Sequence, residues 1–330
     1  MKKIFIVASV LVLILMSCDT DFDVNAQWEE TTVMYGLLDA GVDTQYIKIN
    51  KAFLGEGDAI MMAQYSDSLN FNPNNLEVKL HKLTFLPFLG SYDTLMSIIL
   101  DTTLLEKEDG LFAVDNNIIY RAVVPSGFLR DDYMYGISVH NLISGNKVSS
   151  LTEVISNFTF SDFNSSYKIG FYNPAQPDTL KFKSKTMRWG DVKNGKIYQL
   201  AVRFNYLEEG ILKSLLWNQE QVEESGASVM QVQLEGAKFF NYLSLNLSGS
   251  NLVRQFVNLD LVMTVGTENL ATYIKVNEPL TGISQQRPEF TNIYNGIGIF
   301  SSRYTHTEFD IDLTDDTRNF LIEELDRGFQ

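Results

Sequence analysis

Three acidic side chains alternate near the end of the chain and form its densest group of residues with catalytic chemistry. Glu308, Asp310 and Asp312 are separated by Phe309 and Ile311. Successive side chains of a β-strand point to opposite faces, so the sequence predicts three carboxylates on one face and apolar residues on the other. Such a row of carboxylates can bind calcium or act as a general acid–base pair, but the solvated outer face of an amphipathic strand has the same pattern. We expect the solvated face, with no metal site.

Other residues that could support catalysis are scattered. His81, His140 and His306 are the three histidines, and none has the partner four residues away that marks a zinc-binding helix. No G-x-S-x-G motif of serine hydrolases is present. We therefore predict a protein that is not an enzyme and uses no cofactor. The alternative is a hydrolase that acts on surface glycan or peptide through the three carboxylates.

The single cysteine has a different chemistry, the covalent attachment of lipid. Lys2 and Lys3 precede the apolar run Ile4–Met16, and the small residue Ser17 comes directly before Cys18. This layout is typical of a signal peptide, and the run is shorter than the roughly 20 residues that span a membrane as a helix. The segment before the cysteine resembles the lipobox, whose cysteine receives diacylglycerol. The sequence thus predicts a signal peptide over 1–17 and lipid on Cys18.

Composition limits the partners. The chain has 330 residues, 45% of them hydrophobic, and a formal net charge of −15. An acidic protein is repelled by phosphates and by anionic lipid headgroups, so we expect no nucleic-acid partner, and membrane attachment must come from the lipid anchor. Residues 18–29 are acidic and lack helical or strand periodicity, which predicts a flexible tether after the lipidated cysteine.

The first half of the mature chain reads as a β-sandwich. Seven extended runs separated by polar turns occupy residues 30–155, a pattern typical of an Ig-like domain. Leu129, Tyr135, Ile137 and Val139 follow the spacing with which fibronectin type III domains enter their sixth strand. Tyr135 is then the candidate for a tyrosine corner, in which the hydroxyl bonds back to the chain.

The second half, 156–330, differs from the first because its predicted strands are longer and are interleaved with helical segments. Tyr198, Leu200, Val202 and Phe204 alternate with less apolar residues and are predicted to be buried. Helices are predicted over Gly236–Leu247, Thr267–Val276 and Asp316–Asp326. The predicted fold is mainly β, with an Ig-like sandwich followed by an α+β domain that has an antiparallel sheet and a few helices.

A long connection between the second and third strands could make contacts. Met61, Met62 and Tyr65 lie in it, and methionines with an aromatic residue can form an adaptable apolar surface. The alternative is a short helix that covers one end of its own sandwich.

Two stretches carry a family resemblance. Met34–Leu38 paired with Tyr46–Asn50, and Asn292–Phe300 near the C-terminus, resemble segments of an uncharacterised family of Bacteroidetes outer-membrane lipoproteins. Genes of that family often lie beside those for TonB-dependent receptors. The resemblance implies a lipid-anchored outer-membrane protein, and the family has no agreed activity. The acidic stretch after Cys18 resembles the signal with which Bacteroidetes lipoproteins reach the outer face of the outer membrane, which implies exposure at the surface. From the anchor, the sandwich-like domain and the lack of a catalytic motif, we expect a protein that works by contact, as an accessory subunit of such a receptor.

The second of these stretches contains two glycines. Asn295 and Gly296 suit a tight turn with positive φ, and Gly298 allows close packing of the main chain on a neighbouring element. The stretch has no third glycine, lysine or following helix, so a phosphate-binding loop is not predicted.

Overall fold

The structure is a computed structural model that describes residues 31–52, 64–106, 117–161, 167–249, 251–279 and 289–330. Alternation of buried and exposed residues determines most of its secondary-structure elements. The predicted signal peptide, Cys18 and tether lie outside these ranges, as do Met61 and Met62. Within them the fold is mainly β, with antiparallel sheets and a few helices, as predicted, and four α-helices are present. None of these helices is both long and apolar enough to span a membrane.

Eight strands lie in the first half. They are β1 (Thr31–Asp39), β2 (Thr44–Ala52), β3 (Leu76–Leu86), β4 (Ser91–Ile99), β5 (Asp101–Leu104), β6 (Ile118–Val123), β7 (Met134–Asn141) and β8 (Lys147–Glu153). A four-residue helix, α1 (Ser66–Leu69), precedes β3.

Nine strands and three helices follow in the second half. The strands are β9 (Phe160–Ser161), β10 (Lys168–Ile169), β11 (Ser184–Gly190), β12 (Ile197–Glu208), β13 (Ile211–Asn218), β14 (Val222–Glu223), β15 (Val229–Glu235), β16 (Arg254–Gly266) and β17 (Gly296–Leu313). The helices are α2 (Gly236–Asn246), α3 (Glu268–Asn277) and α4 (Asp315–Glu323).

The first half forms the predicted Ig-like sandwich. Strands β4, β3, β7 and β8 form one sheet in that order, and β1, β2, β6 and β5 belong to the other. The apolar residues of both inner faces share one core, which includes Met34, Ile47, Val78, Tyr135 and Ile137. Because the inward positions alternate with polar ones, each sheet keeps one face for solvent or for other elements.

The second half forms the predicted α+β unit around a core of its own. Strands β13, β12, β16 and β17 are antiparallel neighbours, and β15, β11 and β9 form a separate small sheet. The predicted burial on β12 is confirmed, since Tyr198, Leu200, Val202 and Phe204 are all at most 2% exposed. Ile197 and Ala201, on the opposite face, are buried as well. Phe239 and Leu243 of α2 and Leu321 of α4 pack into the same core.

Strand β17 joins the two halves into one sheet. Its first half pairs in parallel with β1, and its second half pairs antiparallel with β16. Val154 belongs to the core of the first half and Ile155 to the core of the second half, next to the predicted boundary at residue 156. However, Ile293 and Phe300 pack into the sandwich core. The predicted division into 30–155 and 156–330 therefore leaves out the C-terminal segment that returns to the sandwich. This return depends on parallel pairing between distant segments, which local sequence patterns do not show.

Candidate functional site

The sequence predicts Glu308, Asp310 and Asp312 on one face of a strand, but the three side chains do not share a face. Glu308 accepts a hydrogen bond from His306 Nε2 at 2.9 Å, and that histidine ring packs near Phe158 and Phe160. Asp310 instead accepts a hydrogen bond from Asn258. The row is thus split between different surroundings, and the prediction of three carboxylates on one face is wrong.

The cause is a bulge in the pairing of β16 with β17. Leu261 lies opposite Glu308 and Leu259 lies opposite Ile311, so two residues of β17 face one residue of β16. Asp310 is the bulged residue with φ of 60°, which turns the strand and resets its alternation. Phe309, predicted to be buried, is 61% exposed as a result.

The last member of the row binds cations of its own protein. Asp312 forms ion pairs with Lys168 and Arg318, and its neighbour Leu313 donates a main-chain hydrogen bond to the Asp312 carboxylate. Among the described residues, no three His, Cys, Asp or Glu side chains are grouped so that they could hold one metal ion. His81 is also engaged, with Ser97 and Ser138 hydroxyls at 2.7 and 2.8 Å from its ring nitrogens.

Tyr135 has the hydrogen bonds of a tyrosine corner. Its hydroxyl donates to the Phe128 carbonyl at 2.6 Å and accepts from the Arg130 main-chain N–H at 2.8 Å. The side chain is fully buried, and burial raises the pKa of Tyr135 to about 12. This residue therefore ties the loop before β7 to the sandwich core, which is a structural role.

The glycine-containing stretch before and within β17 is also structural. Asn295 has φ of 56° and Gly298 has φ of 116°, whereas Gly296 is not among the residues with positive φ. The positive φ expected for the pair is thus at Asn295 alone. A Cβ atom on Gly298 would lie 2.1 Å from the Met34 carbonyl oxygen, so the close packing predicted for this glycine is present.

The same stretch connects both sheets of the sandwich. Asn292 bonds through its side chain to both the main-chain N–H and the carbonyl of Phe300, at 2.9 and 2.6 Å. Ser150 of β8 donates its hydroxyl to the Asn292 carbonyl, and Tyr294 forms a main-chain bridge with Ser149. The segment thus holds β8 of one sheet and β1 of the other. Its sequence is explained by this connection.

A cleft that sequence reasoning missed lies on the outer face of β1 and β2. We call it the tyrosine cleft, and define it by Tyr35, Tyr46, Tyr273, Asp39 and Arg303. Its volume is about 540 Å³. Small-molecule sites in proteins typically have about 300–1,000 Å³. Its residues come from β1, β2, β17 and α3, which are far apart in the chain, so no single motif contains them.

The strands and a helix position the cleft residues. Thr32, Met34, Gly36 and Leu38 face the core, so the alternation of β1 turns Tyr35 and Asp39 outward. Parallel pairing places Arg303 beside Asp39. Helix α3 covers the neighbouring part of β17, where the Thr267 and Ser301 hydroxyls are 2.6 Å apart.

Helix α3 can approach the sheet closely because of one glycine. A Cβ atom on Gly266 would lie 2.8 Å from side-chain atoms of both Ile197 and Leu270. This close approach brings Tyr273 to the cleft, beside Tyr35. Burial, followed by the contact with Tyr273, raises the pKa of Tyr35.

The charged residues of the cleft differ in their surroundings. Burial raises the pKa of Asp39, while the Gly41 main-chain N–H, which donates to its carboxylate at 2.8 Å, and the nearby Arg303 lower it. The Arg303 side chain is exposed, and its guanidinium makes no hydrogen bond or ion pair with the part of the chain that the structure describes.

The predicted contact loop is described only at its end. Tyr65 directly precedes α1 and is 62% exposed, whereas Met61 and Met62 lie outside the described residues. The apolar contact surface predicted for the three residues stays a prediction.

Comparison with known proteins adds little. No family model and no curated protein matches the sequence. Among solved structures, the chain is similar to the crystal structure of calcium binding domain CBD12 of CALX1.1, with 10% identity over 82% of this chain and 98% of that chain, at a TM-score of 0.17. A TM-score this low supports no statement about fold or function.

Proposed function

We propose that this chain is a lipid-anchored protein of the outer membrane, exposed at the surface, that acts by binding and serves as an accessory subunit of a TonB-dependent receptor. The observation that carries the binding role is the tyrosine cleft. It combines aromatic side chains with an exposed guanidinium and a half-buried carboxylate, which is the mixture of apolar wall and few polar groups found in ligand sites. The lipobox-like segment before Cys18 and the family resemblance support the anchor and the receptor.

The hydrolase alternative loses the geometry on which it rested. A glycoside hydrolase needs two carboxyl groups that face one substrate bond from fixed distances. Glu308, Asp310 and Asp312 contact His306, Asn258 and Arg318 respectively, with Glu308 before the bulge, Asp310 in it and Asp312 after it. We therefore propose binding as the function.

Metabolic labelling tests the anchor. Cells that express the full chain and are fed labelled palmitate should incorporate the label into this protein, and Cys18→Ala should abolish incorporation. A serine close to the cysteine, Ser17→Ala, is the matched control and should keep the label, since alanine is also small. Label that persists in Cys18→Ala would refute the lipid anchor.

Co-purification tests the receptor. Extraction of envelopes with a mild detergent should yield the full chain together with an outer-membrane barrel that belongs to the TonB-dependent receptors, in a constant ratio. Recovery of a monodisperse chain without a barrel would contradict the accessory role and leave the anchor test unaffected.

A further inference from the structure

We infer that the tyrosine cleft binds a sugar ring that bears a carboxylate, as in a hexuronic acid unit of a glycan, with Arg303 on the carboxylate and the tyrosines on the ring. This inference rests on the proposed binding role and names its ligand class.

The position of the cleft in the sheet excludes main-chain recognition. β1 is paired with β17 along Thr32–Asp39, and β2 is paired with β6 along Thr44–Ile47. Both strands are interior, so a peptide cannot add to them as a further strand. A ligand on this face must be recognised by side chains.

The side chains present suit a ring with many hydroxyls. Tyr35 and Tyr46 are 45% and 44% exposed, which leaves large aromatic surfaces for the apolar C–H face of a sugar. The tyrosine hydroxyls can donate and accept, the Asp39 carboxylate accepts, and Arg303 donates. A purely apolar ligand would leave the two charged groups desolvated and unpaired.

The charge of the cleft favours a single carboxylate. A guanidinium presents two parallel N–H donors that match a carboxylate or a phosphate. Of the described residues that line the cleft, Arg303 alone offers this, and Asp39 beside it adds a negative charge. A doubly charged phosphate would be repelled more strongly than a carboxylate, both by Asp39 and by a chain of net charge −15.

Calorimetric titration of the full chain in detergent tests the inference with two probes, trigalacturonic acid and its trimethyl ester. The ester keeps the rings and removes the charges. We expect the acid to bind with a Kd below about 1 mM and the ester to bind at least about tenfold more weakly. Absence of binding by the acid at about 5 mM, or equal binding of acid and ester, would overturn the inference.

Variants locate the binding. Arg303→Gln should weaken binding of the acid at least about tenfold, and Arg188→Gln, at another exposed arginine, should leave it unchanged. Tyr46→Ala should weaken it, whereas Tyr92→Ala, at a tyrosine of similar exposure on β4, should not. Circular dichroism verifies that each variant is folded. Equal effects of the cleft and control variants would overturn the inference, while palmitate labelling and receptor co-purification would still report on the proposed function.

Discussion

Gly298 lies against the main chain of Met34, so closely that a Cβ atom on the glycine would be 2.1 Å from the methionine carbonyl oxygen. This contact sits where β17 begins to pair with β1, and it lets the C-terminal chain return to the N-terminal sandwich. The arrangement also requires φ of 116° at Gly298, a conformation that side-chain-bearing residues rarely adopt.

Gly298→Ala should therefore destabilise the protein strongly. We expect a loss of at least about 2 kcal/mol in the free energy of unfolding, because both the backbone conformation and the contact with a main-chain oxygen oppose a methyl group. Gly145→Ala is the control, since Gly145 also has positive φ but nothing within 4 Å of its Cβ position. It should lose only about 1 kcal/mol. Equal losses in urea unfolding would show that the contact with Met34 is unimportant.

Tyr135→Phe should destabilise the sandwich by about 1–3 kcal/mol, because the Phe128 carbonyl and the Arg130 N–H both lose their partner in a buried place. Tyr92→Phe removes a hydroxyl from an exposed side chain and should change stability by less than about 0.5 kcal/mol. Urea unfolding followed by circular dichroism measures both. A Tyr135→Phe protein as stable as the parent would contradict the role of the hydroxyl.

Stability should fall in alkaline solution between about pH 10 and about pH 12. Burial raises the pKa of Tyr120, Tyr135 and Tyr198 to about 12 each, whereas an unfolded tyrosine titrates at about 10. The folded state thus holds protons that the unfolded state has released, so the contribution is complete below pH 10 and is lost as pH rises through the folded pKa. Each tyrosine contributes a slope of up to about 1.4 kcal/mol per pH unit.

A comparison of variants isolates this effect from the titration of lysines. Between about pH 10 and about pH 12, the free energy of unfolding of Tyr135→Phe should fall less steeply with pH than that of the parent, by about 1.4 kcal/mol per pH unit. Parallel curves for the two proteins would contradict the raised pKa of Tyr135.

Arg254→Met should cost about 3 kcal/mol or more, because Arg254 is only 1% exposed and its guanidinium holds several groups at once. It pairs with Glu208 at 2.7 Å and donates to the carbonyls of Ser248, Gly249 and Arg327 at 2.6–2.8 Å. Arg188→Met, at an exposed position, should be close to neutral. A small effect at Arg254 in thermal unfolding would show that these buried carbonyls find other partners.

Local patterns were sufficient for most single elements. Helices α2 and α3 begin and end within one residue of their predicted bounds. In α2 the periodicity of the apolar residues matches one buried face. The alternation of apolar and polar residues also predicted the strands of the sandwich, because each strand buries one face.

Pairing between distant segments could not be read from the sequence. The parallel contact of β1 with β17 joins residues more than 250 positions apart, and no local signal encodes it. The bulge at Asp310 likewise depends on the register with β16, so the alternation that predicted one acidic face failed there. The tyrosine cleft depends on the pairing of β1 with β17, and a tyrosine on each of two predicted strands was its only signal in the sequence.

Binding through the tyrosine cleft can be tested in intact cells by photo-cross-linking. Benzoylphenylalanine replaces Tyr46 and, as the control, Tyr92, whose exposure of 43% is close to the 44% of Tyr46. We predict a cross-linked envelope component at position 46, reduced by Arg303→Gln, and none at position 92. No product at position 46, or equal products at both positions, would show that the cleft does not bind an envelope component.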